Sequence, residues 1–364
     1  MQHREKYELV VGMEVHIQLL TYSKLFCSDS HTHDGIPNSR VSPVSLGHPG
    51  TLPYLNRAAV EKAITLGLAL DCRINPISYF ARKHYFYPDL PKGYQISQHE
   101  IPVCSGGKVK IHTESGEADI LLHHMHLEED AGKSIHPSGE KVSYIDLNRA
   151  GTPLLEIVSE PVIHSPEEAY AYLTELRRLL RWLDICDGDM EKGSMRCDAN
   201  ISIRHRGDTQ LGTRVEVKNL NSIRHVKKAI EFEWDRMIGM AEKGEPVRQE
   251  TRSYDDEKGT TFPMRSKEDA DDYRYFPDPD LPPLIIQDEW IDHCRNKMPK
   301  SPREMEIDLR SSGINEYDSS IICEDRNLAD YFTRLIQHTR EIKAAANWII
   351  GPVSYTHLRA HETR

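Results

Sequence analysis

Four groups of polar residues carry side chains able to ligate a metal or neutralise a phosphate, and sit where strands would place them together. Glu14 and His16 are two apart, so both leave the same side of an extended chain. His124, His126, Glu128, Glu129 and Asp130 close the run Asp119–Leu127 and lead into Ala131-Gly132-Lys133-Ser134. Arg196, Asp198, Asn200, Ser202 and Arg204 alternate along a third segment, and Arg214, Glu216 and Lys218 along a fourth, just before Asn219 and Asn221. Carboxylates gathered on neighbouring strands repel unless a cation neutralises them. Mg²⁺ takes oxygen ligands and commonly bridges carboxylates to substrate phosphates, while interleaved Arg and Lys would face the phosphate oxygens. That constellation suits phosphoryl transfer, where positioning and charge neutralisation supply most of the catalysis. Taken singly, each group is more often a solvated strand face than a site.

Other chemistries find less support. Gly132-Lys133-Ser134 ends like a phosphate-binding P-loop, but Leu127 stands where its first glycine belongs. No G-x-S-x-G elbow is present, and Cys104-Ser105-Gly106-Gly107 reads as a turn between strands. No set of residues has the spacing of a zinc site.

Strands must position these groups. In Leu9–Leu19 the odd positions are Leu9, Val11, Met13, Val15, Ile17 and Leu19, and the even ones include Glu14, His16 and Gln18. One face is therefore core and the other is solvent or site. Residues 1–160 alternate between such runs and Gly/Pro/Asp-rich turns. Ser165, Pro166 and Glu168 open a helix predicted to run to Asp184, with Ala169, Tyr172, Leu173, Leu176, Leu179, Leu180 and Leu183 as its stripe. A strand pair is predicted over Met195–Arg204 and Gly212–Lys218, then a helix over Ser222–Lys243 with Val226, Ile230, Trp234, Met237 and Ala241 inward. Gln249–Leu284 reads as extended loop and short strand. Helices follow, one opened by the capping box Ser301-Pro302-Arg303-Glu304, and one or two more in Asn327–Ile350.

The 364 residues are enough for two domains with a substantial core. Hydrophobic residues make up 38% and charged residues 28%, ordinary for a globular protein. No run approaches the roughly 18 apolar residues of a membrane span, and the N-terminus has no secretory h-region. Seven scattered cysteines, none in a C-x-x-C, suit reduced thiols in the cytoplasm. A net charge of −11 argues against non-specific nucleic-acid binding, without excluding a local basic face.

Several segments together resemble the family of amidotransferase B subunits. They are Val11-Gly12-Met13-Glu14-Val15-His16, Arg82-Lys83-His84-Tyr85-Phe86-Tyr87-Pro88-Asp89, Gly93-Tyr94-Gln95-Ile96-Ser97-Gln98 and Leu127–Ser134. Asp146-Leu147-Asn148-Arg149, Gly151–Pro161, Gly193–Asn200, Glu216–Ser222 and Asp271–Pro277 continue the likeness, which runs from about residue 7 to 353.

The resemblance implies an α+β fold: a mixed-sheet cradle of the glutamine synthetase-like type over 1–290, then an incomplete all-α helical domain over 291–353. It implies that the glutamate of Glu-tRNA(Gln), or the aspartate of Asp-tRNA(Asn), is phosphorylated by ATP with Mg²⁺. Ammonia then displaces the phosphate, having come through a channel from a glutaminase, the A subunit, with a small C subunit holding the complex together. Glu14, His16, Glu128, Glu129, Glu156 and Asp198 match the family's metal and phosphate-transfer site. Glu129 and Arg196 are the expected catalytic groups, with Arg196 and Lys218 facing the phosphates of ATP. Lys83 and Lys92 match residues near the ammonia route.

Two departures stand out. Some relatives carry a four-cysteine zinc site where this chain has Cys27, Asp29, Ser42 and Ser45; two serines cannot replace thiolates, so no zinc is expected. The final residues, Ser354–Arg364, read as a non-native tail in place of the family's further helices and tRNA-gripping tail domain. Two other function classes remain: a non-catalytic tRNA-binding scaffold, and a stand-alone metal-dependent phosphotransferase acting on a small carboxylate.

Overall fold

A computed structural model describes residues 4–32, 35–137, 139–264 and 273–351. The tail from Ser354 and the Asp271-Asp272 start of the last motif lie outside the described residues.

Period-two alternation builds the centre of the molecule, a sheet of 13 strands among the described residues. Ten form its spine: β1 (Tyr7–Gln18), β2 (Ala81–His84), β3 (Tyr94–Ser97), β4 (Gly116–Glu129), β5 (Pro153–Ser159), β6 (Met195–His205), β7 (Val215–Lys218), β8 (Glu250–Asp255), β9 (Thr260–Pro263) and β10 (Phe276–Pro277). Their spatial order is β9-β8-β7-β6-β1-β5-β4-β3-β2-β10. Neighbours pair antiparallel, except β7 and β8, which run parallel. Parallel neighbours need a crossover, here the helix α3 described below, so the sheet is mixed.

β1 lies between β5 and β6, and its odd residues from Leu9 to Ile17 are buried. The residues opposite them point the same way: Leu155 and Ile157 on β5, Cys197, Ala199 and Ile201 on β6, all buried. Met125 and Leu127 on β4 and Val215 and Val217 on β7 extend this apolar face.

Helices cover it. α1 (Arg57–Ala69) packs on β4, and α3 (Ile223–Glu242) on β6 and β9. α1 corrects the strands-and-turns reading of residues 1–160. Asn56 caps it, its side-chain oxygen accepting from the amides of Ala58 and Ala59 at 2.9 and 3.4 Å. Its apolar residues are nearly continuous, which hid the helical period. A β-carbon on Gly67 would sit 2.7 Å from Cys104 Sγ and from Ile74 Cδ1, so the close approach of this helix requires glycine. On α3, Val226, Ile230 and Met237 are buried as predicted, but so is Glu233, which pairs with Arg236 at 2.7 Å and Arg252 at 3.0 Å.

α2 (Pro166–Trp182) begins as predicted, Ser165 Oγ accepting the Glu168 amide at 3.1 Å. The Glu168 carboxylate accepts from the amide of His164 at 2.6 Å rather than from that of Ser165.

The chain divides into two compact units, Met1–Glu175 with Cys186–Asn296, and Leu176–Ile185 with Lys297–Arg364. The first holds the sheet and most of α4 (Asp288–Lys297). The second is helical, with α5 (Pro302–Ser311), α6 (Glu316–Ile322), α7 (Arg326–Leu335) and α8 (Ile342–Trp348). The predicted capping box at Ser301 and Glu304 is present. Trp182, fully buried in this unit, donates its indole N–H to Lys300 O at 2.8 Å. Among the described residues no helix is long and apolar enough to cross a membrane.

The two faces of β1 are expected to respond oppositely to substitution. Ile17→Ala removes buried methyl groups and lowers stability by about 2–5 kcal/mol. Glu14→Gln, three residues earlier, removes a charge that neighbouring carboxylates oppose and lowers it not at all. Urea unfolding midpoints of both variants check this.

Candidate active site

The opposite face of the same strands is polar, and strand register decides which residues meet. One row crosses four strands: His126 on β4, Glu156 on β5, His16 on β1 and Arg196 on β6. Beside it run His124, Val158, Glu14 and Asp198, and on the other side Glu128, Leu154 and Gln18. A further row joins Gly12, Asn200, Glu216 and Thr251. Residues as far apart in the chain as Gly12 and Thr251 thus share one surface.

Among the described residues two groups with metal-ligand character result, each with its donor atoms within 4.8 Å of one another. The first is His16, Glu128 and Glu156. His16 Nδ1 lies 3.2 Å from Glu128 Oε1 and 3.6 Å from Glu156 Oε2. His126 Nε2 lies 3.3 Å from Glu156 Oε2 and 3.8 Å from Glu128 Oε2. Burial works against charge on His126, but hydrogen bonds to Glu128 and Glu156 outweigh it and push the imidazole up to about 10. Burial opposes the Glu128 carboxylate too, and the two histidines overcome it and hold it well below its usual range. The neighbouring His124, whose Nε2 is 3.1 Å from His126 Nδ1, is pushed down to about 4 by burial and by His126 and His123. A protonated His126 therefore donates one N–H to Glu156 and the other to a neutral His124. One imidazole, that of His16, and two carboxylates, converging from three strands, fit a divalent cation that would take the place of a proton on His16.

The second group is Glu14, Asp198 and Glu216. Lys218 Nζ sits among them, 2.6 Å from Asp198 Oδ2 and 2.8 Å from Glu216 Oε1. Burial disfavours this ammonium, yet Asp198 and Glu216 outweigh it and keep it charged far above the usual lysine range. Asn200 donates to Glu14 Oε1 at 2.9 Å. Burial, then Glu156, then Asp198 and Glu216 raise the Glu14 carboxyl above its ordinary value.

Glu129 stands in neither group, which corrects its expected place beside Glu128. Successive residues of a strand point to opposite faces. The Glu129 carboxylate instead accepts from Lys92 Nζ and, at 3.0 Å, from the amide of Ile96. Lys83 is also apart, its ammonium 4.7 Å above the ring of Tyr273. Arg196 shares the row of His16 and is held by Asp130, Nη2 to Oδ2 at 3.0 Å, while its Nε is buried without a hydrogen-bond partner among the described residues. Cys27, Asp29, Ser42 and Ser45 do come together: Asp29 accepts from the Ser45 hydroxyl and from the Ser42 amide at 2.8 Å. Their donor set is one thiol and one carboxylate, which does not fit zinc.

Residues 9–292 match the GatB/GatE catalytic domain. The chain belongs to this family. It is 50% identical over 347 residues to the aspartyl/glutamyl-tRNA(Asn/Gln) amidotransferase B subunit of Thermodesulfovibrio yellowstonii, covering 95% of this chain and 73% of that protein. Against the protein of the same name from Geobacter sulfurreducens it is 51% identical over 352 residues, 96% of this chain and 74% of the relative. Every residue of the two groups lies inside the span matched to the GatB/GatE catalytic domain.

Sequence reasoning singled out His126 and Glu216 as chemically able but gave them no role. The register supplies what was missing, since only pairing with Glu156 and Asn200 brings them into the rows.

Without metal, the His126 imidazolium contributes stability fully below its unfolded value near 6.5, and that contribution is lost as pH rises toward about 10. Divalent ions bind neutral imidazole and ionised carboxylate, so affinity has the opposite sign and strengthens by about tenfold per pH unit for each proton displaced. Calorimetric Mn²⁺ titrations at two pH values, in buffers of different ionisation enthalpy, are expected to show proton release and tighter binding at the higher pH.

Proposed function

We propose that this chain is the activating component of a tRNA-dependent amidotransferase, a carbon–nitrogen ligase of the cytoplasm that takes ATP and a misacylated tRNA. In this reading the side-chain carboxylate of Glu-tRNA(Gln), Asp-tRNA(Asn) or both is phosphorylated by ATP, and ammonia then displaces the phosphate to give the amide. A glutaminase, the A subunit, would supply ammonia through a channel, and a small C subunit would hold the assembly. The sheet would be a cradle of the glutamine synthetase type over residues 1–290, followed by a helical domain.

The observation that carries the reading is the His16, Glu128 and Glu156 group on the polar face of the sheet, with Arg196 in the same row. The name its relatives carry supports it. A divalent ion there, Mg²⁺ in this proposal, would neutralise phosphate oxygens and align them for in-line transfer. His16, Glu128 and Glu156 would hold it, with Glu14 and Asp198 beside them. His126 orients Glu156 by its hydrogen bond, as outer groups orient metal ligands. Arg196, fixed at one end by Asp130, would bring guanidinium charge to the transferring phosphate. Lys218 is the second cation on that side. Lys83, and the pair of half-buried Lys92 with buried Glu129, fit a role nearer the ammonia route than the metal. Apart from the half-buried Cys27 the thiols are buried, which agrees with glutamine hydrolysis belonging to another chain.

ADP release by this chain reconstituted with A and C subunits is expected to rise on addition of Glu-tRNA(Gln) or Asp-tRNA(Asn). Glu128→Gln should lower it by at least about 100-fold, a loss of about 2.7 kcal/mol or more in transition-state stabilisation. The paired substitution Lys92→Met with Glu129→Gln, which leaves no buried charge unpartnered, should preserve ADP release and lower amide formed per ADP. ADP release that ignores charged tRNA, or that free glutamate stimulates equally well, would overturn the proposal.

A further inference from the structure

The two carboxylate groups are close neighbours on one face yet are neutralised differently. Among the described residues, the ion pairs of Glu128 and Glu156 are all with histidines, His16 and His126. Imidazoles are themselves metal ligands once deprotonated, so that group is open to a cation. In the other group Lys218 Nζ already lies at hydrogen-bond distance from two of the three carboxylates. Lysine carries a compact point charge on a flexible stem, and here that charge stands where carboxylates from β1, β6 and β7 converge.

The placement is built into the register. Glu216 and Lys218 are two apart on β7 and leave the same face, and Ala199 opposite Val217 brings Asp198 level with Lys218. Thr251 on β8 fixes the far oxygen of Glu216, donating to Oε2 at 2.9 Å. Asn200 fixes Glu14. Two of the three carboxylates, Glu216 and Glu14, are thus oriented by partners that leave the ammonium in the middle. For a metal to enter, Lys218 would have to leave both carboxylates and stand half-buried without them, which is costly for an ammonium.

We infer that Lys218 is a built-in cation occupying the place a second divalent ion would take, so that Glu14, Asp198 and Glu216 bind no metal while Lys218 is present. The inference rests on the proposed reading for its purpose, since it makes a two-cation phosphoryl-transfer site out of one metal and one ammonium. Lys218 has three N–H donors and spends two on Asp198 and Glu216. The third remains for a phosphate oxygen.

Counting bound Mn²⁺ tests this, by equilibrium titration of the full chain with free Mn²⁺ read by electron paramagnetic resonance. Wild type is expected to bind one ion per chain, lost in His16→Ala. Lys218→Met is expected to gain one further ion, and adding Glu216→Gln should remove it again. Circular dichroism checks that each variant is folded, with Lys218→Gln in reserve should the methionine variant not be. Two ions on the wild type, one of them lost in Glu216→Gln, would overturn the inference. So would a folded Lys218→Met or Lys218→Gln chain with no extra ion. No ion on the wild type but one on Lys218→Met would defeat the metal site of the proposed function and leave the inference about Lys218 standing.

Discussion

β1 is hydrogen-bonded along both edges, to β5 and to β6, and that double pairing decides which side chains can meet. Its odd residues anchor the strand in the core, so it cannot slip by one position without turning Val15 and Ile17 outward and Glu14 and His16 inward. Register is therefore enforced by burial, and the site inherits that precision. His16 faces Glu156 and Arg196 because Ile17 faces Leu155 and Met195. The helices matter to function mainly through this, by covering the apolar face and holding the register from behind.

The polar face concentrates negative charge, and the structure relieves it by three means. Histidines pair with Glu128 and Glu156, a lysine with Asp198 and Glu216, and Arg196 and Arg149 with Asp130. Only the first can be exchanged for a metal at modest cost, because an imidazole that loses its proton becomes a neutral ligand whereas the half-buried ammonium of Lys218, held by two carboxylates, does not become one near neutral pH. Glu14, the member of the second group on β1, has an amide, Asn200, as its hydrogen-bond partner. The site thus reads as an electrostatic gradient across the sheet from β1 to β7, most receptive to a cation at His16 and already filled at Lys218.

Local pattern carried much of this in the sequence. The alternation of β1, the helix after Ser165, the capping box at Ser301 and the α3 stripe all follow from residues a few positions apart. The residue types of Glu14, His16, Glu128 and Asp198 were legible in the same way, Glu156 came only from the family resemblance, and all five lie in the two groups. What failed was non-local. Nothing near Glu129 in the chain says that Lys92 will reach it, and nothing near His126 says that Glu156 will lie opposite. Whether Lys218 faces a phosphate or two carboxylates depends on a pairing between segments about twenty residues apart. The helix α1 was hidden for another reason: packed at Gly67 against Cys104, it is apolar around much of its circumference.

The most direct test of the central claim, that this sheet face holds a divalent cation at His16, Glu128 and Glu156, is a crystal of the chain soaked in Mn²⁺ and measured for anomalous scattering. The account predicts a peak enclosed by those three side chains, with Lys218 still on Asp198 and Glu216. A peak only elsewhere, or none at a concentration that saturates binding in solution, would contradict it.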